Sequence, residues 1–264
     1  MKIITEQSYP ANIAVITSDA MESAVAQASI EMKKPHIQGV VWKRGALIEP
    51  LGSAEEIQLY ADRIPDTKGA GHSRKELAQY FMAQAGKDTF SSNLEARCAI
   101  AMALLARLSR VDRLVNPEAV PSVTRDARFI AINDATNNSH GNYHIDGAVF
   151  ARGRNDDMLP FGGKSVRVIF IDQGEGMHIL DPKDIPIDVK VQFLETAGSQ
   201  SKPVPEELQT AINEVAPWEM EEGDVCFFKN KLWGPDQALI HKMPTFKSSD
   251  PSIRRVTTIY GSNM

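Results

Sequence analysis

After Asn116-Pro117 the chain abandons helical spacing and breaks into short β-branched and aromatic runs, punctuated by Gly, Pro, Asn and Asp. Few folds accept that texture: strands take apolar residues at every second position, and the punctuating residues supply the sharp reversals between them. The candidate strands cover residues 129–133, 143–150, 166–172, 177–180, 189–194, 224–229, 238–241 and 255–260. Eight short strands suffice for a jelly roll. The expected fold is therefore α+β, with a jelly-roll or cupin-like barrel over residues 121–264. Residues 198–217 break the series and read as an insertion, with a short helix at 205–211.

Residues 1–120 read as mainly helical. Residues 19–32 are rich in Ala, Glu and Met, and residues 73–85 open with the capping box Ser73 to Glu76. From 92 to 114, Leu94, Cys98, Ala101, Leu104, Leu105 and Leu108 recur at spacings of three and four, which gives one apolar face for burial. One strand-like run, 37–42, interrupts the helices, and Gly69 to Gly71 marks a loop. This half is expected to brace the barrel as part of one structural unit.

With 42% hydrophobic and 24% charged residues, the composition is that of an ordinary folded protein. The formal charge of -5 carries no clustered basic stripe, so a nucleic-acid partner is not expected. The two cysteines, Cys98 and Cys226, lie in apolar surroundings and read as buried small hydrophobes rather than a disulfide or a cysteine zinc site. The longest apolar run, 98–106, is far short of the roughly 20 residues that span a bilayer, and the first residues lack the apolar core of a signal peptide. A cytoplasmic protein without a membrane partner is the expectation; its oligomeric state is not legible.

Chemistry concentrates in Asn142-Tyr143-His144-Ile145-Asp146-Gly147. In a strand, residues i and i+2 share a face, so His144 and Asp146 can serve one metal ion. His241, at the end of a later strand-like run, supplies a third ligand. Two imidazoles and one carboxylate on one face of an octahedron leave three positions open, the ligand set of non-haem Fe(II) oxygenases. A structural zinc site would instead be closed by four protein ligands, typically including Cys.

Around these residues, Glu222-Gly223-Asp224-Val225-Cys226-Phe227-Phe228 turns into an apolar strand before His241, and Arg254-Arg255-Val256-Thr257 follows it. The order resembles the Fe(II)/2-oxoglutarate-dependent dioxygenase superfamily, with its double-stranded β-helix and His-x-Asp…His triad. That resemblance implies Fe(II) on His144, Asp146 and His241, and 2-oxoglutarate held at its distal carboxylate by Arg255 and Thr257. A guanidinium suits this role because its planar fork makes two parallel charge-assisted hydrogen bonds; Arg254, on the opposite face, is the alternative anchor. The implied reaction is hydroxylation of a small molecule or peptide side chain, coupled to decarboxylation of 2-oxoglutarate to succinate. More narrowly, Val40-Val41-Trp42-Lys43-Arg44, Gly174-Glu175-Gly176 and Gly223-Asp224 resemble a bacterial family of uncharacterised function that couples an amino-terminal element to a His-x-Asp barrel.

Tyr143 and Asn133 are further candidates for hydrogen bonds to the bound acid, and His178 and Trp233 for the wall of a substrate pocket. His140 lies four residues before His144, but Gly141-Asn142 between them argues for a loop. Two alternatives keep the metal. One is a cupin-like metalloenzyme without 2-oxoglutarate; the other is a non-catalytic zinc-binding protein, since paired imidazoles also take zinc.

Overall fold

The computed structural model describes residues 9–43, 127–134, 142–146, 150–152, 158–160, 166–174, 176–198, 204–234, 236–242 and 255–261, with scattered positions between 93 and 108. At its amino-terminal end, β1 (Ile13–Ile16) and β2 (Gly39–Trp42) run parallel, with α1 (Met21–Glu31) between them in sequence. Gly39 keeps the two strands close: a Cβ there would stand 3.1 Å from Ile13 Cδ1. The Trp42 indole N–H donates to the Ser18 carbonyl at 2.9 Å, which ties the strand to the turn before α1. The expected helix at 19–32 and strand at 37–42 are both present, while β1 is too short a run to be read from sequence.

These two strands edge a six-stranded sheet of order β1-β2-β9-β6-β11-β3, whose other members are β3 (Ala127–Asp134), β6 (Val166–Gln173), β9 (Val225–Lys229) and β11 (Arg255–Gly261). Beyond the β1–β2 pair every pairing in it is antiparallel. A second, three-stranded sheet of order β10-β7-β8 joins β7 (His178–Ile179), β8 (Trp218–Glu219) and β10 (His241–Lys242). A reciprocal bridge between His144 and His241 adds the His144 segment to its edge. A small hairpin pairs β4 (Phe150–Arg152) with β5 (Met158–Pro160).

Alternation along the strands divides the interior. Val40, Trp42, Val166, Val168, Phe170, Val225 and Phe227 face α1 and the helix around Ile100, Leu104 and Leu108. Their neighbours Val41, Ile169, Ile171, Cys226 and Phe228 point the other way, onto Ile179 and Trp218 of the smaller sheet and onto Leu239, just before β10. A third cluster covers the far side of that sheet: Tyr143, Ile145, Leu180, Ala238 and Ile240 pack against Ile185, Phe193 and Ile212. Phe193 belongs to α2 (Ile187–Gly198) and Ile212 to α3 (Glu206–Asn213). The layers therefore run helices, large sheet, small sheet, helices.

Helix α2 corrects the expected strand at 189–194. Ile187, Val189, Val191 and Phe193 alternate, but only Phe193 is fully buried, with Val189 packed beside it, whereas Ile187 and Val191 are exposed. The buried pair is four residues apart, as on a helix face, and Lys190 N donates to the Pro186 carbonyl at 2.8 Å in the first turn. Proline tolerates that first turn because it has no N–H to leave unpaired. Helix α3 agrees with the short helix expected inside the insertion.

The described positions between 93 and 108 are helical, with Arg97, Ile100, Leu104 and Leu108 buried. Leu104 and Leu108 were expected on that face; the helix at 73–85, Cys98, His140 and Arg254 lie outside the described residues. Cys226 is buried and free. Of the strand expected at 143–150, the described residues 143–146 carry only the bridge at His144, and Phe150 opens β4.

The turn into β9 is held by charge. Asp224, 3% exposed, accepts from Glu221 N at 2.9 Å and from Lys43 Nζ at 2.7 Å. Gly223, with φ of 87°, supplies the left-handed position the turn requires. Burial pulls the Lys43 ammonium down, but the hydrogen bond and charge of Asp224 outweigh it and hold its pKa above the ordinary lysine value. Among the described residues no helix is long and apolar enough to cross a membrane.

Candidate metal centre

His144 and His241 exchange both backbone hydrogen bonds: His144 N donates to His241 O at 3.0 Å, and His241 N to His144 O at 3.1 Å. This pairing brings two distant parts of the sequence into register, with the ring centroids 4.4 Å apart. Strand parity then sorts the neighbours. Tyr143, Ile145 and Ile240 enter the core under α2 and α3, while Leu239 and the edge-on partner of His241, Phe228, lie in the core between the sheets. His144, Asp146 and His241 take the same side, and their ligand atoms all lie within 4.8 Å of one another.

The carboxylate stands between the imidazoles, with Oδ1 3.7 Å from His144 Nε2 and Oδ2 3.8 Å from His241 Nε2. Both separations are too long for hydrogen bonds. Asp146 Oδ2 and His241 Nε2 are close enough to share an ion, since two atoms each bonded to it at about 2.1 Å can be no more than about 4.2 Å apart; the group as a whole, within 4.8 Å, would draw in slightly around one. The donor set also fits. His144 Nδ1 lies 2.9 Å from the Asn142 carbonyl and His241 Nδ1 lies 3.0 Å from the Leu239 carbonyl. A carbonyl oxygen can only accept, so each Nδ1 carries the proton and each Nε2 keeps its lone pair for a metal.

Burial reinforces that state at His241, which is 2% exposed. Desolvation, followed by the neighbouring His144, pushes its pKa down to about 4 against the opposing pull of Asp146. The ring is neutral at physiological pH, as a ligand must be. His144 is half-exposed and forms the accessible side of the group.

Asp146 is 8% exposed, a costly place for a carboxylate without a cation. Arg167 supplies one, its Nη1 2.6 Å from Asp146 Oδ1. It reaches the site because β6 alternates: Val166, Val168 and Phe170 face the first core, so Arg167 points with Ile169 and Ile171 to the other side. Sequence reasoning missed Arg167, although a lone cation inside Val166-Arg167-Val168-Ile169-Phe170-Ile171 was the available signal. The Asp146 carbonyl accepts from Lys231 N at 3.0 Å, which fastens this residue's backbone to the 3-10 turn Lys231–Trp233.

Gln209 of α3 was missed as well. It is buried, accepts from Tyr143 N at 3.1 Å and donates to Tyr143 O at 2.8 Å. Lys242, the residue after His241, donates to Asn213 Oδ1 at 2.7 Å from the same helix and lies 4.4 Å from the centroid of the Tyr143 ring.

The other sequence candidates are dispersed. Tyr143 sits in the α2/α3 core, on the face opposite the triad. His178 is in register with Lys242 and Glu219, one residue out of phase with His241 and Ile179, and its Nε2 lies 3.5 Å from Glu219 Oε1. Trp233 packs on the first core beneath Lys229, whose Nζ is 5.1 Å from the ring centroid. Arg255 pairs with Gln173 on one side and Asp134 on the other, Thr257 with Phe170 and Ile132, and Asn133 with Val256. All three therefore belong to the adjacent strands β3 and β11 of the large sheet.

Comparison with protein-family models gives no match, and comparison with curated proteins gives none. Among solved structures, the chain is similar to HygX from Streptomyces hygroscopicus with iron bound, at 13% identity and a TM-score of 0.34 over 86% of this chain and 83% of that one. It is also similar to the non-haem iron oxygenase OrfP in complex with Fe and L-canavanine, at 12% identity and a TM-score of 0.38 over 95% and 93%. HygX with nickel, 2-oxoglutarate and hygromycin B bound aligns at 14% identity and a TM-score of 0.27 over 61% of this chain and 66% of that one.

Proposed function

We propose that this chain is a non-haem Fe(II)- and 2-oxoglutarate-dependent oxygenase that hydroxylates a small molecule or a peptide side chain. The observation that carries the reading is the convergence of His144, Asp146 and His241 with both Nε2 atoms turned out as lone-pair donors. Two imidazoles and one carboxylate leave three of six positions for co-substrate and dioxygen.

The strand order supports a double-stranded β-helix. In chain order β3, the His144 segment, β6, β7, β8, β9, β10 and β11 fall in the large, small, large, small, small, large, small and large sheets. Every step in this series but β7 to β8 passes from one facing sheet to the other, with the β4–β5 hairpin apart from both, and the candidate ligands sit where the small sheet's His144 edge meets β10. In this reading Arg255, or Arg254 in its place, takes the distal carboxylate of 2-oxoglutarate; the register of β11 sets Asn133 and Val256 in phase with Ile171 and the side of Arg167, whereas Thr257 stands opposite Phe170, in phase with the first core.

Iron bound here would supply dioxygen activation coupled to decarboxylation of 2-oxoglutarate. The chain's own part is positional. His144 and His241 hold neutral donors through their Nδ1–H bonds, Asp146 brings the negative charge, and Arg167 offsets it. Phe228, edge-on to His241 at 4.8 Å, keeps water from the buried side of the ring.

Anaerobic addition of Fe(II) and then 2-oxoglutarate tests the reading through the weak visible charge-transfer absorption of the chelate. A band in the wild type that is absent from His144→Ala is the expected result. Iron binding without a band would leave a metalloenzyme that does not use 2-oxoglutarate.

A further inference from the structure

We propose that Arg167 is a positioning residue that restricts Asp146 to one metal-binding oxygen and so keeps a third coordination position open; the proposal rests on the oxygenase reading above. A carboxylate can bind an ion through one oxygen or both. For this site the difference decides function. Two imidazoles and a one-oxygen carboxylate leave three positions of an octahedron, enough for a bidentate 2-oxo acid and dioxygen. A carboxylate bound through both oxygens leaves two, and the 2-oxo acid alone fills them.

The contacts of the two oxygens differ. Arg167 Nη1 is 2.6 Å from Asp146 Oδ1, a short charge-assisted hydrogen bond. Oδ2 lies 3.8 Å from His241 Nε2 on the deeply buried side of the group, and Oδ1, held by Arg167, lies 3.7 Å from His144 Nε2. An oxygen whose charge is committed to a guanidinium is the poorer donor, and turning it onto an ion would require the pair to separate. The arginine's own freedom is small, because its side chain is 13% exposed and its strand is paired on both sides, to β9 and β11.

Charge and position act in opposite directions here, which makes the role measurable. A guanidinium next to a divalent ion repels it, so if Arg167 did no more than balance Asp146, its removal would strengthen metal binding. If it positions Asp146, removal weakens binding despite the relief of repulsion. Losses of 10- to 100-fold are typical when a group that orients a metal ligand is removed.

The test uses Co(II) as the metal probe on the full chain, comparing wild type with Arg167→Met and Arg167→Lys. Affinity is read by calorimetry and ligand number by the visible d–d spectrum; 2-oxoglutarate affinity is read on the Co(II)-loaded proteins. For Arg167→Met the expected results are metal binding weaker by about tenfold or more, an altered spectrum, and a larger loss for 2-oxoglutarate than for the metal. Arg167→Lys keeps the charge but not the fork and is expected to fall between the two; should Arg167→Met fail to fold, wild-type affinity and spectrum in Arg167→Lys overturn the proposal. Equal or tighter Co(II) binding by Arg167→Met with an unchanged spectrum overturns it too, while the metal reading stands. If the wild type itself binds no Co(II), the reading falls and the proposal with it.

Discussion

Gln209 closes both hydrogen bonds of its side-chain amide on the backbone of Tyr143, the residue immediately before the first metal-ligand candidate. One turn further along α3, Asn213 takes Lys242, the residue immediately after the last. Helix α3 thus grips both segments that carry the candidate ligands, from the side away from the triad. Gln209→Leu strands a buried N–H and a buried carbonyl, and loses about 2 to 4 kcal/mol of stability. Urea denaturation at neutral pH measures this, with Gln209→Ala expected to do the same.

The buried imidazole of His241 makes the metal-free protein acid-sensitive. Its folded pKa, lowered to about 4, lies below its ordinary 6.5. The unfolded chain therefore takes up a proton that the folded chain refuses. Stability from this group is full above about pH 6.5 and declines as pH falls toward 4, by about 3 kcal/mol across the window. Denaturation midpoints between pH 7 and pH 4.5 check it: His241→Gln should flatten the decline, and an unchanged slope in that variant would assign the titration to another group.

Lys43 and Asp224 join the amino-terminal strand β2 to the turn before β9. Lys43→Met leaves a carboxylate that is 3% exposed without its cation, although it keeps the bond from Glu221 N. The loss should be about 2 kcal/mol, below the range for a fully buried pair because Lys43 remains partly solvated. Asp224→Asn retains the acceptor for Glu221 and should cost less. Thermal melts of the two variants give the order directly.

Gly176 has no room for a side chain, since a Cβ there would run into the backbone of Met220. Met220 N donates to Met177 O at 3.1 Å beside it, so neither segment can retreat without breaking β-type pairing. Gly176→Ala is expected to destabilise by about 2 kcal/mol through overpacking, while Gly223→Ala, with open space around it, pays only for its positive φ. The two melting temperatures compare clash with strain.

Much of the carboxy-terminal half was legible because strands buried on one or two faces leave a mark in sequence. Residues 166–172 and 224–229 were readable as β6 and β9 for that reason, and His144, Asp146 and His241 because i and i+2 on one strand can share an ion. Three things were hidden. Alternation at 187–193 satisfies both a strand and one stripe of a helix, and only the Pro186 start distinguishes them. Arg167 meets Asp146 only once the two sheets face each other, so no local spacing announces it. The placement of Tyr143 and His178 depends on which side of the small sheet carries the triad, which becomes fixed when α2 and α3 cover the other side.

Three side chains brought together by the His144–His241 pairing are proposed to hold one divalent ion. Calorimetric titration of the metal-stripped protein with Fe(II) under anaerobic conditions, beside His144→Ala, Asp146→Ala and His241→Ala, tests it most directly. The wild type is expected to bind one equivalent, and affinity is expected to collapse in each variant. Wild-type affinity retained in any of the three would contradict a shared ion.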